Sequence, residues 1–110
     1  MTRLELENLL LQEFPGAVSY SFFDPAFAVP PPFVCYYFDQ SGDAYADNLN
    51  YFPISAYRVE LYTEKDQQWE PAGRLEALFK DREITYAKTE TWIDSERLVQ
   101  VIFFIDLIGG

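Results

Sequence analysis

The stretch ITYAKTETWIDSERLVQVIFFIDL (84–107) decides the fold, because it holds two strand-like runs joined by a short polar turn. In the second run, 97–107, apolar residues occupy both faces. One face carries Val99, Val101, Phe103, Ile105 and Leu107, and the other carries Leu98, Ile102 and Phe104. Period-two alternation of apolar residues is typical of a β-strand. The stretch therefore predicts a β-hairpin with strands at 84–92 and 97–107 around a turn at 93–96.

Three segments upstream of the hairpin also predict strands. VSYSFF (18–23) and PISAYRVELYT (53–63) alternate apolar and polar residues, whereas FVCYYF (33–38) is apolar on both sides. A strand that is apolar on both sides is typical of a position inside a sheet. The proline-rich segment 24–32 between the first two runs cannot lie inside a sheet.

Two helices complete the pattern. Leucines at helical spacing predict a helix at about 3–13, and the spacing of Ala72, Leu75, Leu78 and Phe79 predicts another at 69–80. The element order is then α-β-β-β-α-β-β. Runs of strands, rather than strict alternation with helices, predict an α+β fold with a mostly antiparallel sheet and both helices on one face. The length of 110 residues fits a single domain spanning 1–110.

Composition narrows the function classes. Eight basic residues against eighteen acidic ones give a net charge of -10, which disfavours direct binding to nucleic-acid phosphates and to anionic membranes. The chain has no histidine and one cysteine, which removes Ser-His-Asp and Cys-His catalysis and the common zinc sets. Acidic residues interrupt the N-terminal leucine run, unlike a signal peptide, so a cytoplasmic protein is expected.

The acidic stretch DQSGDAYADNLN (39–50) raises the question of a metal site. A calcium EF-hand loop starting at Asp39 would need glycine at position 6 and glutamate at position 12, but Ala44 and Asn50 stand there. Turn geometry alone accounts for the Asp, Ser, Gly and Asn residues. No metal and no cofactor are predicted.

The same loop is long for a connection between strands, and long loops are often functional. Tyrosines accompany its acids, and tyrosine is enriched in protein interfaces. Two interpretations stay open, a partner-binding loop and a loop whose rings fold back onto the sheet. The candidate interaction residues are Asp39, Asp43, Tyr45, Asp47, Asn48 and Tyr51.

Two further aromatic residues are candidate interface positions. Trp92 ends a strand that also carries Lys88 and Glu90, so an exposed interface position and the edge of the core both stay open for it. Phe104 lies on the second apolar face of the last strand. Two small helices leave part of such a sheet uncovered, and uncovered apolar surface usually marks association. The sequence therefore predicts a protein that binds further copies of itself or other proteins.

No catalytic constellation stands out. Eighteen acids ensure that some carboxylates lie close together, as a glycosidase requires, but the sequence selects no pair. Phosphate-binding and dinucleotide-binding glycine patterns are absent from the sequence. A non-enzymatic protein is predicted, with a carboxylate-based hydrolase as a weaker alternative.

Several loose motifs occur in a recognisable order. They are PPF-x-x-Y-x-F at 31–38, Ala-Asp-Asn at 46–48 followed by Tyr51, ELYT-x-K at 60–65, and the hairpin Y-x-K-x-E-x-W-I-x-S-E at 86–96. In this order the chain resembles a family of small tail-completion proteins, similar to tail terminators, of long-tailed phages and prophages of Gram-positive bacteria. The similarity runs from about residue 30 to 107, and the proline cluster before it has no match.

The resemblance implies a structural role in the virion. Family members are expected to form a ring, a hexamer in tail terminators, that caps the finished tail tube and offers the surface on which the head docks. The implied partners are further copies of the chain, the tail tube and head-completion proteins. The implied location is the bacterial host cytoplasm during assembly and then the tail or neck of the virion. Whether the subunit is the terminator itself or a neighbouring head-completion protein stays open.

A second function from another class fits the acidic composition. A monomeric binding protein, such as an inhibitor or immunity-type protein that masks a basic partner, would cluster aspartates and tyrosines on one face. The oligomeric state distinguishes the two hypotheses.

Overall fold

The computed structural model describes residues 1–21, 29–41 and 54–109, with only the backbone for residues 40 and 41. The elements are α1 (Arg3–Glu13), β1 (Val18–Tyr20), β2 (Phe33–Ser41), β3 (Ile54–Thr63), α2 (Trp69–Asp81), β4 (Tyr86–Ile93) and β5 (Leu98–Ile108). The predicted α+β class and the element order α-β-β-β-α-β-β are confirmed.

The described strands form one sheet in the order β1-β2-β3-β5-β4. β1 runs parallel to β2, and the other neighbouring pairs are antiparallel. The longest pairing joins β3 to β5 without interruption, from Ile54 opposite Ile108 to Thr63 opposite Val99. The hairpin predicted from the opening stretch is formed by β4 and β5, and β5 lies inside the sheet as its two apolar faces require.

Both helices pack on one face of this sheet. Leu6 and Leu10 of α1 and Leu75 of α2 are fully buried against alternate residues of the central strands. The sheet residues in this cluster include Val34, Tyr36, Val59, Leu61, Val101, Phe103 and Ile105. The face of the sheet that carries neither helix is called the open face below.

Tyr36 fixes α1 to the sheet. Its ring is fully buried, and its Oη donates to Glu7 Oε1 at 2.8 Å and accepts from Arg3 Nη1 at 2.9 Å. Burial, together with the hydrogen bond to the Glu7 carboxylate, raises the pKa of the Tyr36 phenol to about 12. The helix also has a capping box, in which the Thr2 hydroxyl accepts from the Glu5 amide and the Glu5 carboxylate accepts from the Thr2 amide.

Two boundaries differ from the predictions by three residues, and the others by two or fewer. β1 ends at Tyr20, and the remainder of the run predicted to reach 23 is a bend at Ser21 followed by residues outside the described ranges. β2 continues through Ser41, whereas a loop was predicted to begin at Asp39. The strand continues because Gln40 and Ser41 still pair with β3, and the ladder absorbs Asp39 as the extra residue of a bulge between Phe38 and Gln40.

Within the described ranges, neither helix has the length and apolar character needed to cross a membrane.

Candidate interaction surface

The open face is built from alternate residues of four strands. β3 lies near the centre of the sheet and directs Arg58, Glu60 and Tyr62 to this face, because their neighbours Val59 and Leu61 point into the core. Register then fixes their cross-strand neighbours. Cys35 lies opposite Glu60 on β2, Tyr37 lies opposite Arg58, and Ile102 lies opposite Glu60 on β5.

Glu60 is the centre of a hydrogen-bonded cluster on the open face. Its carboxylate accepts from Tyr37 Oη at 2.5 Å and from Tyr62 Oη at 2.7 Å. Arg58 Nη2 lies 3.1 Å from the same carboxylate, and Gln100 Nε2 donates to Tyr62 Oη at 2.8 Å. Although Glu60 lies on the face without helices, it is only 6% exposed. A carboxylate so buried is stabilised when each oxygen has donors, as here.

The two phenols remain hydrogen-bond donors over the physiological pH range. Burial, followed by the hydrogen bond to Glu60, raises the pKa of Tyr37 to about 12. The same causes, in the same order, raise the pKa of Tyr62. Because neither phenol ionises near neutral pH, the cluster is a fixed arrangement of donors around one carboxylate.

Arg58 is held between two aromatic rings. Its guanidinium carbon lies 5.3 Å from the centroid of the Tyr37 ring and 5.4 Å from that of Phe104, within the range of cation–π contacts. The Arg58 Nε atom is buried and has no hydrogen-bond partner among the described residues. The charge of Arg58 is therefore balanced by Glu60, and its guanidinium is flanked by the two rings.

Phe104 is the exposed member of this arrangement. Its ring is 40% exposed and borders a shallow groove of about 310 Å³, together with Asp39, Ala56 and Asp106. The structure thus brings two of the predicted site residues, Asp39 and Phe104, to one groove on the open face. The Phe104 ring lies at the centre of the sheet, and the carboxylates of Asp39 and Asp106 lie toward the end of the sheet that leads into the loop.

Trp92, the other predicted interface residue, lies elsewhere. It is opposite Val99 on the helix side of the sheet, next to the β4–β5 turn, and is 43% exposed. Its indole Nε1 donates to Asp94 Oδ1 at 3.4 Å. Because Trp92 and Phe104 are on opposite faces, they do not form one patch. The remaining predicted loop residues lie outside the described ranges: Asp43, Tyr45, Asp47, Asn48 and Tyr51.

The alternation within 53–63 places Arg58, Glu60 and Tyr62 on one face of the strand, but these residues are not among the predicted site residues. The signal was available, because a glutamate at the middle of an apolar strand needs buried partners. The two residues at i−2 and i+2 share its face and are an arginine and a tyrosine. The third partner, Tyr37, comes from another strand and could not be assigned without the register.

Metal binding finds no support in the described ranges, which hold no group of three histidine, cysteine, aspartate or glutamate residues arranged to coordinate an ion. The chain matches no protein-family model, and no curated protein is significantly similar to it.

Proposed function

We propose that the chain is a non-enzymatic assembly subunit of a phage tail or neck, which forms a ring that caps the tail tube and joins it to the head. The order of motifs from 31–38 to 86–96 supports the family assignment. The open face supports the ring, because it offers a surface on which one subunit can meet the next.

One observation carries the proposal: the chain is strongly negative, whereas the charges at the centre of its open face balance each other. Copies with a net charge of -10 repel each other unless they meet where the charge is low. At the centre of the open face the charges are Arg58 and Glu60, and they are paired at 3.1 Å. Two further acids on this face, Asp39 and Asp106, line the groove at the end that leads into the loop. The centre is therefore a place where a second copy can approach without facing an unbalanced charge.

The chemistry of this surface also suits a subunit contact. Tyrosine and arginine dominate the residues that carry binding energy in interfaces, and rigid side chains lose little entropy on binding. Tyr37 and Arg58 are fixed by Glu60 before any partner arrives, and Phe104 provides the exposed ring. A neighbouring subunit would cover this ring without having to order it first.

The loop at 39–52 has a role of its own in the proposal. It would reach the channel, the tail tube or a neighbouring subunit, and β2 leads into it at Ser41. Shortening this loop should abolish the joining of tails to heads while the subunit remains folded. Normal infectious particles from such a mutant would contradict this role.

The test is native mass spectrometry over a range of protein concentrations, with negative-stain images of the assemblies. Phe104→Asp places a charge at the centre of the open face and should abolish the ring. Leu4→Asp is the matched control, because Leu4 is equally apolar and is exposed on α1, on the other side of the sheet.

A ring in wild type and Leu4→Asp, but not in Phe104→Asp, would support the proposal. A ring that survives Phe104→Asp would show that the open face is not the subunit contact. Monomers at every concentration, with and without added tail tubes, would overturn the ring. That result would favour the acidic binding protein instead.

A further inference from the structure

We infer that the β4 edge of the sheet pairs with the β4 edge of a second copy, in an antiparallel two-fold dimer centred on Thr89. This contact goes beyond the proposed function, because it uses a different surface from the open face. Each of the two proposals can fail without the other.

β4 is an edge strand of the described sheet. Among the described residues, Tyr86–Ile93 pairs only with β5, so the opposite edge of β4 has no described strand beside it. An eight-residue edge exposes backbone N–H and C=O groups that can add another strand. Natural proteins usually prevent this with charged residues on the edge. The charges of β4, Lys88 and Glu90, therefore decide which strand its edge can accept.

The β4 sequence is complementary to its own reverse. When two copies run antiparallel with Thr89 on the two-fold axis, Lys88 of one lies opposite Glu90 of the other, twice. The ends match as well, because Tyr86 then lies opposite Trp92 and Ala87 opposite Thr91. Opposite charges and aromatic pairs directly across two strands are favourable.

Other registers lack this complementarity. A shift of two residues in one direction places Lys88 opposite Lys88 of the second copy, and a shift in the other direction places Glu90 opposite Glu90. Like charges directly opposite are destabilising. A shift of one residue would put the helices of the two copies on opposite faces of the joined sheet. Lys88 and Glu90 therefore oppose the registers shifted by two residues and favour the register centred on Thr89.

The side chains are arranged to make these contacts. Lys88 Nζ is 3.1 Å from Glu76 Oε2, and its ammonium has further donors for Glu90 of the second copy. The Glu90 carboxylate is exposed. Both residues line a groove of about 340 Å³ between α2 and β4, beside the largely exposed Trp69.

The dimer contact differs in symmetry from a ring contact. A closed ring repeats one head-to-tail contact, whereas a two-fold contact is isologous. The two-fold pair of β4 strands is therefore separate from the contact that would repeat around a ring.

Cysteine cross-linking tests the register. Residues directly opposite across antiparallel strands have Cα atoms about 4.5–5.5 Å apart, within the range of about 4.4–6.8 Å that disulfides span. Two copies of Thr89→Cys should therefore form a covalent dimer on mild oxidation. Thr91→Cys is the matched control. Position 91 of one copy lies opposite position 87 of the other, so the two introduced cysteines are offset by four residues, about 13 Å along the strand.

Dimers from Thr89→Cys but not from Thr91→Cys would support the inference. Equal cross-linking of both variants, or none of either, would overturn it. The background thiol Cys35 is buried and is the same in both variants.

Charge reversal provides a second test that does not depend on thiols. Lys88→Glu alone and Glu90→Lys alone each place like charges opposite each other, and each should weaken dimerisation by at least about tenfold in sedimentation equilibrium. A mixture of the two variants restores both pairs and should give a heterodimer. Circular dichroism melts check that each variant is folded. If folded variants dimerise as tightly as wild type, or the mixture gives no heterodimer, the register is wrong.

Discussion

At the scale of single residues, Glu60 links the stability of the sheet to the surface it presents. The same carboxylate orients Tyr37 and Tyr62 and balances Arg58, so removing it disturbs three side chains at once. Deleting one partner from a buried polar cluster costs more than the net contribution of the bonds, because the remaining groups lose their partners.

We therefore expect Glu60→Ala to lower the free energy of unfolding by about 2–3 kcal/mol. Glu60→Gln, which keeps an acceptor for one phenol, should lose less. Urea denaturation monitored by tryptophan fluorescence measures both. Glu96→Ala serves as the control. Because Glu96 is exposed in the β4–β5 turn, this substitution should change the free energy of unfolding by no more than about 0.5 kcal/mol. Equal losses for Glu60→Ala and Glu96→Ala would contradict the role of the cluster.

A pH dependence follows from the phenols. The folded protein keeps the Tyr37 proton to a pKa of about 12, whereas a free phenol loses it near 10.0. This difference stabilises the folded state below pH 10, and the contribution disappears as the pH rises toward 12. Wild-type stability should fall over that interval, and it should fall less steeply in Tyr37→Phe. Denaturation curves at several pH values provide the comparison, and parallel pH profiles would refute the assignment.

At the scale of elements, the sequence was sufficient to predict a helix or strand wherever the pattern of buried apolar residues alone decides it. β5 and α2 were predicted nearly to their ends, because their apolar residues recur at the strand and helix periods. The continuation of β2 past Phe38 was missed. Asp39, Gln40 and Ser41 have turn-forming composition, and they remain in the strand only because β3 offers a partner and a bulge absorbs the mismatch.

The parallel direction of β1 was also beyond the sequence. A strand of three residues, Val18–Tyr20, contains no signal for its direction relative to β2. That direction depends on the path of the chain between the two strands. The same limit applies to the open-face cluster, whose members come from different strands and are joined only by register.

Helix α2 is stabilised by the packing of its buried apolar residues against the sheet rather than by a hydrogen bond at its N-cap. Gln68, at the N-cap, makes no side-chain capping hydrogen bond, whereas Leu75 and Phe79 are fully buried. Leu75→Ala should therefore lower the free energy of unfolding by about 3 kcal/mol, measured by chemical denaturation. By comparison, Leu4→Ala on the exposed side of α1 should change it by less than about 0.5 kcal/mol. A small effect at Leu75 would mean that the helix layer is loosely packed.

At the scale of the whole molecule, net charge opposes every association between copies. Each pair of subunits brings together two chains of charge -10, and salt screens this repulsion over about 8 Å at physiological ionic strength. A contact made by the charge-balanced centre of the open face loses little of its own attraction to that screening. Salt should then favour the assembled state.

Ring formation should accordingly shift to lower protein concentration as sodium chloride is raised from about 0.02 to about 0.3 M. Sedimentation velocity across this range measures the shift. Phe104→Asp should show no rings at either salt concentration, which separates specific assembly from nonspecific aggregation. Rings that dissociate as salt is added would instead indicate that salt bridges between subunits, rather than the charge-balanced centre, hold the subunits together.

The position of Cys35 gives this protein a chemical reporter. It is the only cysteine of the chain, lies opposite Glu60 and is 5% exposed. A thiol reagent can reach such a sulfur only during transient opening of the strands around it. The rate of thiol labelling therefore records how often the middle of the sheet opens, in a protein with no substitution. If a neighbouring subunit covers the open face, the same reaction should slow as the ring forms, so one natural atom can follow assembly in time.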